Sequence, residues 1–127
     1  AIFEPRRRFI LVERSGRKAG FLRYAAAAAG LENVEVADRV LEELEPRFDG
    51  VVFRALGELK RYIDVLLEIT RPDGWLLGYK GRFETAAAEL KELEVQGVSA
   101  KIVPAPPLPG PAGGMQKERS FLIVRKD

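Results

Sequence analysis

Glu13 closes the apolar run Phe9-Ile10-Leu11-Val12 and is followed at once by Ser15-Gly16-Arg17-Lys18. A short run with no polar member reads as a strand buried on both faces, the mark of a parallel sheet. In doubly wound α/β domains, ligands bind at the carboxyl ends of such strands. A carboxylate there can accept both hydroxyl protons of a ribose, so Glu13 is placed to hold an adenosine-containing cofactor. The usual companion is a glycine-rich turn after an earlier strand, and the 127 residues contain none. Half of a nucleotide-type site is therefore legible. The other half is expected from residues preceding Ala1, which is not an initiating Met.

Three further strand-like runs end in charge: Asp38-Arg39, Arg54-Ala55 and Lys80-Gly81. Parallel strands bring these positions to one edge of the sheet. Two acids there suit ribose hydroxyls and an adenine amino group, and the bases suit a polyanion. Each residue alone reads as surface charge, because strand ends face solvent. The succession of four is what points to a ligand edge.

The elements that must position these residues follow from periodicity. Ser15 suits the N-cap of a helix running to about Ala29, with Gly30 as its stop. Val34–Ala37 is a short second strand, and Leu41 with Leu44 marks a brief helix ahead of Pro46. Gly50–Phe53 is a third strand, introduced by Phe48-Asp49. Leu59, Tyr62, Ile63, Leu66 and Leu67 then follow the spacing of an amphipathic helix. Arg71-Pro72-Asp73-Gly74 is a turn before a fourth strand, Trp75–Tyr79, and a helix covers about 84–94. Residues 98–103 alternate as a half-exposed strand should, and Phe121–Val124 forms the last strand. Between these two strands, residues 104–114 carry five prolines and three glycines, a composition that forbids regular structure. Strand-helix alternation followed by two linked strands means a mostly parallel sheet with an antiparallel terminal hairpin.

Composition bounds the chemistry. With 127 residues and 46% hydrophobic content, the chain suits one domain with one core. It has no cysteine and no histidine. Disulfides, thiolate or imidazole metal sites and Ser-His catalysis are thereby excluded within these residues. No apolar run approaches the ~20 residues of a membrane helix, and no signal segment opens the chain. A cytoplasmic, soluble, monomeric protein is the expectation. Net charge is +2, yet residues 1–30 hold seven bases against two acids, and residues 31–50 hold seven acids against two bases. A basic N-terminal third accords with a phosphate-rich partner, and equally with a solvated surface.

The segment Leu11-Val12-Glu13-Arg14-Ser15-Gly16-Arg17-Lys18-Ala19-Gly20-Phe21-Leu22 resembles the "LLDSxxKRxxFL" stretch of the glucose-inhibited division protein B family. These are the small-subunit ribosomal RNA methyltransferases G. The likeness continues through Gly30–Val34, Asp38-Arg39-Val40, Phe48–Ala55, Tyr79-Lys80-Gly81 and Glu118–Lys126, in order and nearly throughout the chain. Each motif is weak alone, but their collinearity is strong.

The resemblance implies a class I S-adenosylmethionine-dependent methyltransferase fold, Rossmann-like, lacking its first strand. The expected strand order, in that fold's numbering, is 3-2-4-5-7-6, with the place of strand 1 vacant between strands 2 and 4. It implies methyl transfer from S-adenosylmethionine to guanine N7 of small-subunit (16S) ribosomal RNA, with that RNA or the ribosomal subunit as partner. Cofactor contacts carry over to Glu13, Asp38, Arg39, Val40 and Arg54, and RNA contacts to Arg17, Arg54, Lys80 and Arg119. Guanine N7 has a free lone pair, so no general base is needed. The task is alignment and electrostatics, which suits a chain without histidine. Against the family pattern, Glu13 stands where Asp is commoner, and Leu41 displaces the acids that follow Arg39-Val40. Two other readings stand beside this one: a shortened, non-catalytic RNA-binding relative, and another Rossmann-like enzyme acting on small molecules. No P-loop is present to support nucleotide hydrolysis.

Overall fold

In the computed structural model, all residues are described except 46, 107–109 and 111–116. Most of the proline- and glycine-rich stretch at 104–114 therefore lies outside the described residues. The chain forms two compact units, Ala1–Glu45 and Pro46–Asp127.

The first unit holds β1 (Phe9–Val12), α1 (Gly16–Ala28) and β2 (Val34–Ala37). β1 and β2 pair in parallel, with Phe9 opposite Val34 and Val12 opposite Ala37. A parallel pair requires a crossover, and α1 is that crossover. Its C-terminus closes as a Schellman motif: Leu31 N–H donates to Ala26 O and Gly30 N–H to Ala27 O, both at 3.0 Å. Gly30 takes the left-handed conformation this requires, φ +64°. Ala19 is the fully buried residue of α1. The Asn33 side chain donates to the carbonyls of Ala1, Glu4 and Arg7, which ties the N-terminal segment to the loop before β2.

β1 departs from the expectation of a strand buried on both faces. Its residues are half-buried, and Leu11 is exposed. The cause is its place in the sheet. β1 pairs only with β2 among the described residues, so one long edge has no neighbouring strand.

The second unit contains β3 (Phe48–Arg54), α2 (Ile63–Ile69), β4 (Thr70–Lys80), α3 (Phe83–Val95), β5 (Ala100–Pro104) and β6 (Ser120–Arg125). The sheet order is β3-β4-β6-β5. β3 and β4 run parallel, and β6 is antiparallel to both β4 and β5. In the expected numbering this is 4-5-7-6, and the first unit supplies 3-2. Within each unit the strands keep the expected neighbours, but the described residues form two sheets rather than one.

The turn expected at Arg71–Gly74 is absorbed into β4 as a bulge. Phe48 faces Thr70, but Gly50 already faces Trp75. Asp73 sits at φ +62°, and hydrogen bonds between Asp73 N–H and Lys126 O and between Lys126 N–H and Gly74 O hold the bulge. The core lies between one sheet face and the helices, where Leu59, Ile63, Leu66, Leu76, Leu93, Leu122 and Val124 are buried. Lys126 Nζ donates to the carbonyls of Leu67 and Thr70, satisfying the end of α2.

Close approach dictates glycine at position 78. A Cβ there would lie 2.8 Å from two ring atoms of Phe53, which sits opposite it on β3. Gly78→Ala is therefore expected to destabilise the fold by about 1–3 kcal/mol through overpacking. Urea unfolding with an unchanged m-value is the check.

Candidate functional site

The parallel register of β1 and β2 delivers Glu13 and Asp38 side by side. Val12 faces Ala37, and Glu13 N–H continues the ladder by donating to Ala37 O at 3.0 Å. The Glu13 carboxylate then turns toward the start of α1, where its Oε1 accepts from Ser15 N–H at 3.0 Å. Ser15 itself makes no side-chain cap, and Glu13 instead satisfies the backbone N–H of the N-cap residue. Asp38 reaches the same helix start. A Cβ built on Gly16 would stand at ordinary contact distance, 3.5 Å, from Asp38 Oδ2, which places that carboxylate beside the start of α1.

Glu13 is half-buried, while Asp38, Arg39 and Val40 are exposed. Glu13, Ser15, Arg17, Lys18, Phe21 and Leu22 line an open hollow. Two carboxylates at adjacent strand ends, over a helix N-terminus and beside apolar surface, can accept a vicinal diol and seat a flat ring. The structure thus brings Glu13, Asp38, Arg39 and Val40 to one edge of the first unit. Arg17 stands on the first turn of α1 nearby. Among the described residues, Arg7 pairs with Glu4 and Arg8 with Glu35, whereas Arg14, Arg17, Lys18 and Arg23 pair with no carboxylate.

In the second unit the three remaining candidates separate. Arg54 ends β3 opposite Tyr79, exposed and with no carboxylate partner among the described residues. Ala55, next in the chain, adopts φ +51°, a left-handed conformation that costs a non-glycine residue ~1–2 kcal/mol. Arg119 leads into β6 and is half-buried, its carbonyl accepting from Ala105 N–H. Lys80 ends β4, but alternation sends it to the opposite face from Arg54. There its Nζ lies 2.6 Å from Glu89 Oε2, with side-chain exposures of only 18% and 15%, and 5.7 Å from the Phe53 ring centroid.

Two acids that sequence reasoning passed over shape this edge. Glu89 also accepts from Leu59 N–H at 3.3 Å, so one carboxylate joins β4, α3 and the turn before α2. Its signal was present: Glu89 sits three residues after buried Ala86 and four before buried Leu93, on the inward stripe of α3. Glu118 accepts from Phe83 N–H at 2.8 Å and so caps α3 from the segment before β6. That contact spans 35 residues and leaves no local pattern.

The parallel crossover, the strand order and the acids at strand ends define a Rossmann-like α/β fold of the methyltransferase class. Solved structures agree. The precorrin-6y C5,15-methyltransferase of Geobacter metallireducens superposes with a TM-score of 0.72 at 20% identity, covering 94% of this chain and 67% of the other. An S-adenosylmethionine-dependent O-methyltransferase of Thermotoga maritima gives 0.70 at 16% identity, covering 94% and 49%. Within that class, a family profile described as rRNA small subunit methyltransferase G matches residues 1–106, and the chain belongs to this family. Relatives named ribosomal RNA small subunit methyltransferase G include one from Borrelia recurrentis, 36% identical over 98% of this chain and 56% of its own length. Another, from Borrelia hermsii, is 32% identical over 99% of this chain and 58% of its own length. The chain thus spans little more than half the length of these curated relatives.

The Lys80–Glu89 pair yields a stability test. Lys80→Ala leaves a largely buried carboxylate without its cation and is expected to cost about 3 kcal/mol. The double variant Lys80→Met/Glu89→Leu should recover most of that loss. Denaturant titration of the three proteins reads the coupling.

Proposed function

We propose that this chain is part of an S-adenosylmethionine-dependent methyltransferase acting on guanine N7 of small-subunit ribosomal RNA in the cytoplasm. Family membership supports the reaction class, and the juxtaposition of Glu13 and Asp38 is the observation that carries the cofactor assignment. On this reading both units belong to one catalytic domain of a monomeric enzyme. No helix among the described residues is long and apolar enough to cross a membrane, and no cluster there could hold a metal ion.

The donor set fits the cofactor. Glu13 uses one carboxylate oxygen on Ser15 N–H, which leaves the other for ribose hydroxyls. Asp38, Arg39 and Val40 flank the adenine, with Val40 supplying apolar surface. When bound, the cofactor supplies a methyl group activated by its sulfonium. The residues described here do the holding. Guanine N7 attacks with its own lone pair, so no residue needs to remove a proton. Arg54 and Arg119, at strand ends of the second unit, and Arg17, on α1, contact RNA phosphates. Lys80, committed to Glu89, serves this edge by holding the end of β4 against α3.

Glu13→Ala should weaken S-adenosylmethionine binding by about 1–3 kcal/mol, the range for losing hydrogen bonds to a charged acceptor. Calorimetry on the protein as encoded measures it, and unchanged affinity would remove Glu13 from the cofactor site.

The substrate is tested by incubating the protein as encoded with small ribosomal subunits and methyl-labelled cofactor, then cleaving the RNA at N7-methylguanine. Label in 16S rRNA released at one guanine is the expected result. Cofactor binding without RNA labelling would favour a small-molecule methyltransferase. Charge reversal at Arg54 or Arg119 should weaken RNA binding and flatten its dependence on salt by roughly one unit of slope. An Arg54→Glu protein with wild-type affinity and slope would exclude Arg54 from the RNA contacts.

A further inference from the structure

The chain between β3 and α2 is tied down at both ends. β3 finishes at Arg54, opposite Tyr79 of β4, and a 3-10 turn begins at Leu59. Residues 55–58 connect them, and two of these take the left-handed conformation: Ala55 at φ +51° and Gly57 at φ +86°. A non-glycine residue keeps such a conformation only where its surroundings dictate it. At the near end of this loop the restraint is the β3–β4 ladder. At the far end it is one stripe of α3. Glu89 accepts from Leu59 N–H at 3.3 Å, Glu92 pairs with Lys60 at 3.3 Å, and Gln96 Nε2 donates to Lys60 O at 3.3 Å. Positions 89, 92 and 96 recur at helical spacing, so a single face of α3 carries all three contacts.

Glu89 differs from the other two. Its side chain is nearly buried, and its second oxygen, Oε2, is taken by Lys80 at the end of β4. Lys80 follows Tyr79, the residue opposite Arg54. One carboxylate therefore fixes Leu59 at the far end of the loop and the strand position beside its near end.

We propose that Glu89 is a positioning residue for methyl transfer, acting through the loop at 55–58 that it anchors at Leu59. Ligands meet parallel strands at their carboxyl ends, and the loop leaves β3 at that end. A reaction that removes no proton gains its rate from alignment, and a misplacement of about 1 Å can cost on the order of a hundredfold. What the role requires of Glu89 is an acceptor for Leu59 N–H, not its negative charge. The inference rests on the methyl-transfer reading and adds to it a residue whose two oxygens are already taken within the protein.

The test compares two double variants of the protein as encoded, Lys80→Met/Glu89→Leu and Lys80→Met/Glu89→Gln. Both remove the ion pair without leaving a lone buried charge. Glutamine can still accept from Leu59 N–H, and leucine cannot. Single-turnover methylation of small ribosomal subunits is measured at saturating cofactor and RNA, beside thermal midpoints and amide exchange of residues 55–59. The leucine variant is expected to transfer methyl at least tenfold more slowly than the glutamine variant, with cofactor and RNA affinities within twofold of each other. Its loop amides should exchange at least tenfold faster. Equal transfer rates in the two variants, with the wild type active, overturn the inference and leave the methyl-transfer reading in place. So does a slower rate that only tracks the unfolded fraction, or one recovered by raising RNA concentration. A wild-type protein that labels no RNA overturns the methyl-transfer reading itself, and the inference falls with it.

Discussion

The hydrogen-bond ladder between β1 and β2 determines what the first unit can hold. Because the strands are parallel and in register from Phe9 opposite Val34 to Val12 opposite Ala37, both end at the same level, and an acid follows each. The crossover helix must then begin beside both acids, which brings its unsatisfied N–H groups within reach of Glu13. A slip of one residue would turn every side chain of one strand to the other face. It would also separate the carboxylates along the strand axis by about 3.3 Å. The acid of Glu-Arg-Ser-Gly is thus explained by the ladder as much as by any ligand, since it accepts the N–H of Ser15 at the entry to α1.

The second unit depends on burial of charge. Glu89 is held at 15% exposure by a cation from β4 and a backbone donor before α2, so three elements meet on one carboxylate. A pair of this kind adds little net stability over an apolar replacement, but it penalises arrangements in which either partner is left alone. That penalty keeps the carboxyl end of β4 seated against α3. Arg54, on the other face of the sheet, is left exposed at the same edge.

Much of this was legible in the sequence. Periodicity located the strands and helices among the described residues, and the strand-end charges picked out Glu13 and Asp38, which lie side by side in the first unit. Family resemblance supplied strand neighbours that local pattern cannot. What was not legible depended on contacts distant in sequence. Phe9–Val12 has the composition of a strand buried on both faces, yet composition does not say whether a second neighbour lies alongside. Arg71–Gly74 has the chemistry of a turn, and only pairing with β3 and Lys126 shows it folded into a continuous strand. Lys80 looked equivalent to Arg54 because both follow apolar runs. The alternation of the two strands in register, together with an acid on α3, separates their roles.

The sheet order β3-β4-β6-β5 also bears on how the chain is made. β6 lies between β4 and β5 but is synthesised after both. Until residues 120–125 emerge from the ribosome, β4 has a bare edge and β5 has no strand to join. Neither the hairpin nor the buried layer of Leu122 and Val124 can form before then. Vectorial synthesis therefore leaves the β3–β4 pair with an open edge until β6 is made. The full sheet must assemble late, with Trp75 finding Arg125 across most of the unit's length. Such non-local pairing slows folding. During that interval the nascent chain carries an apolar, strand-forming edge of the kind that chaperones shield.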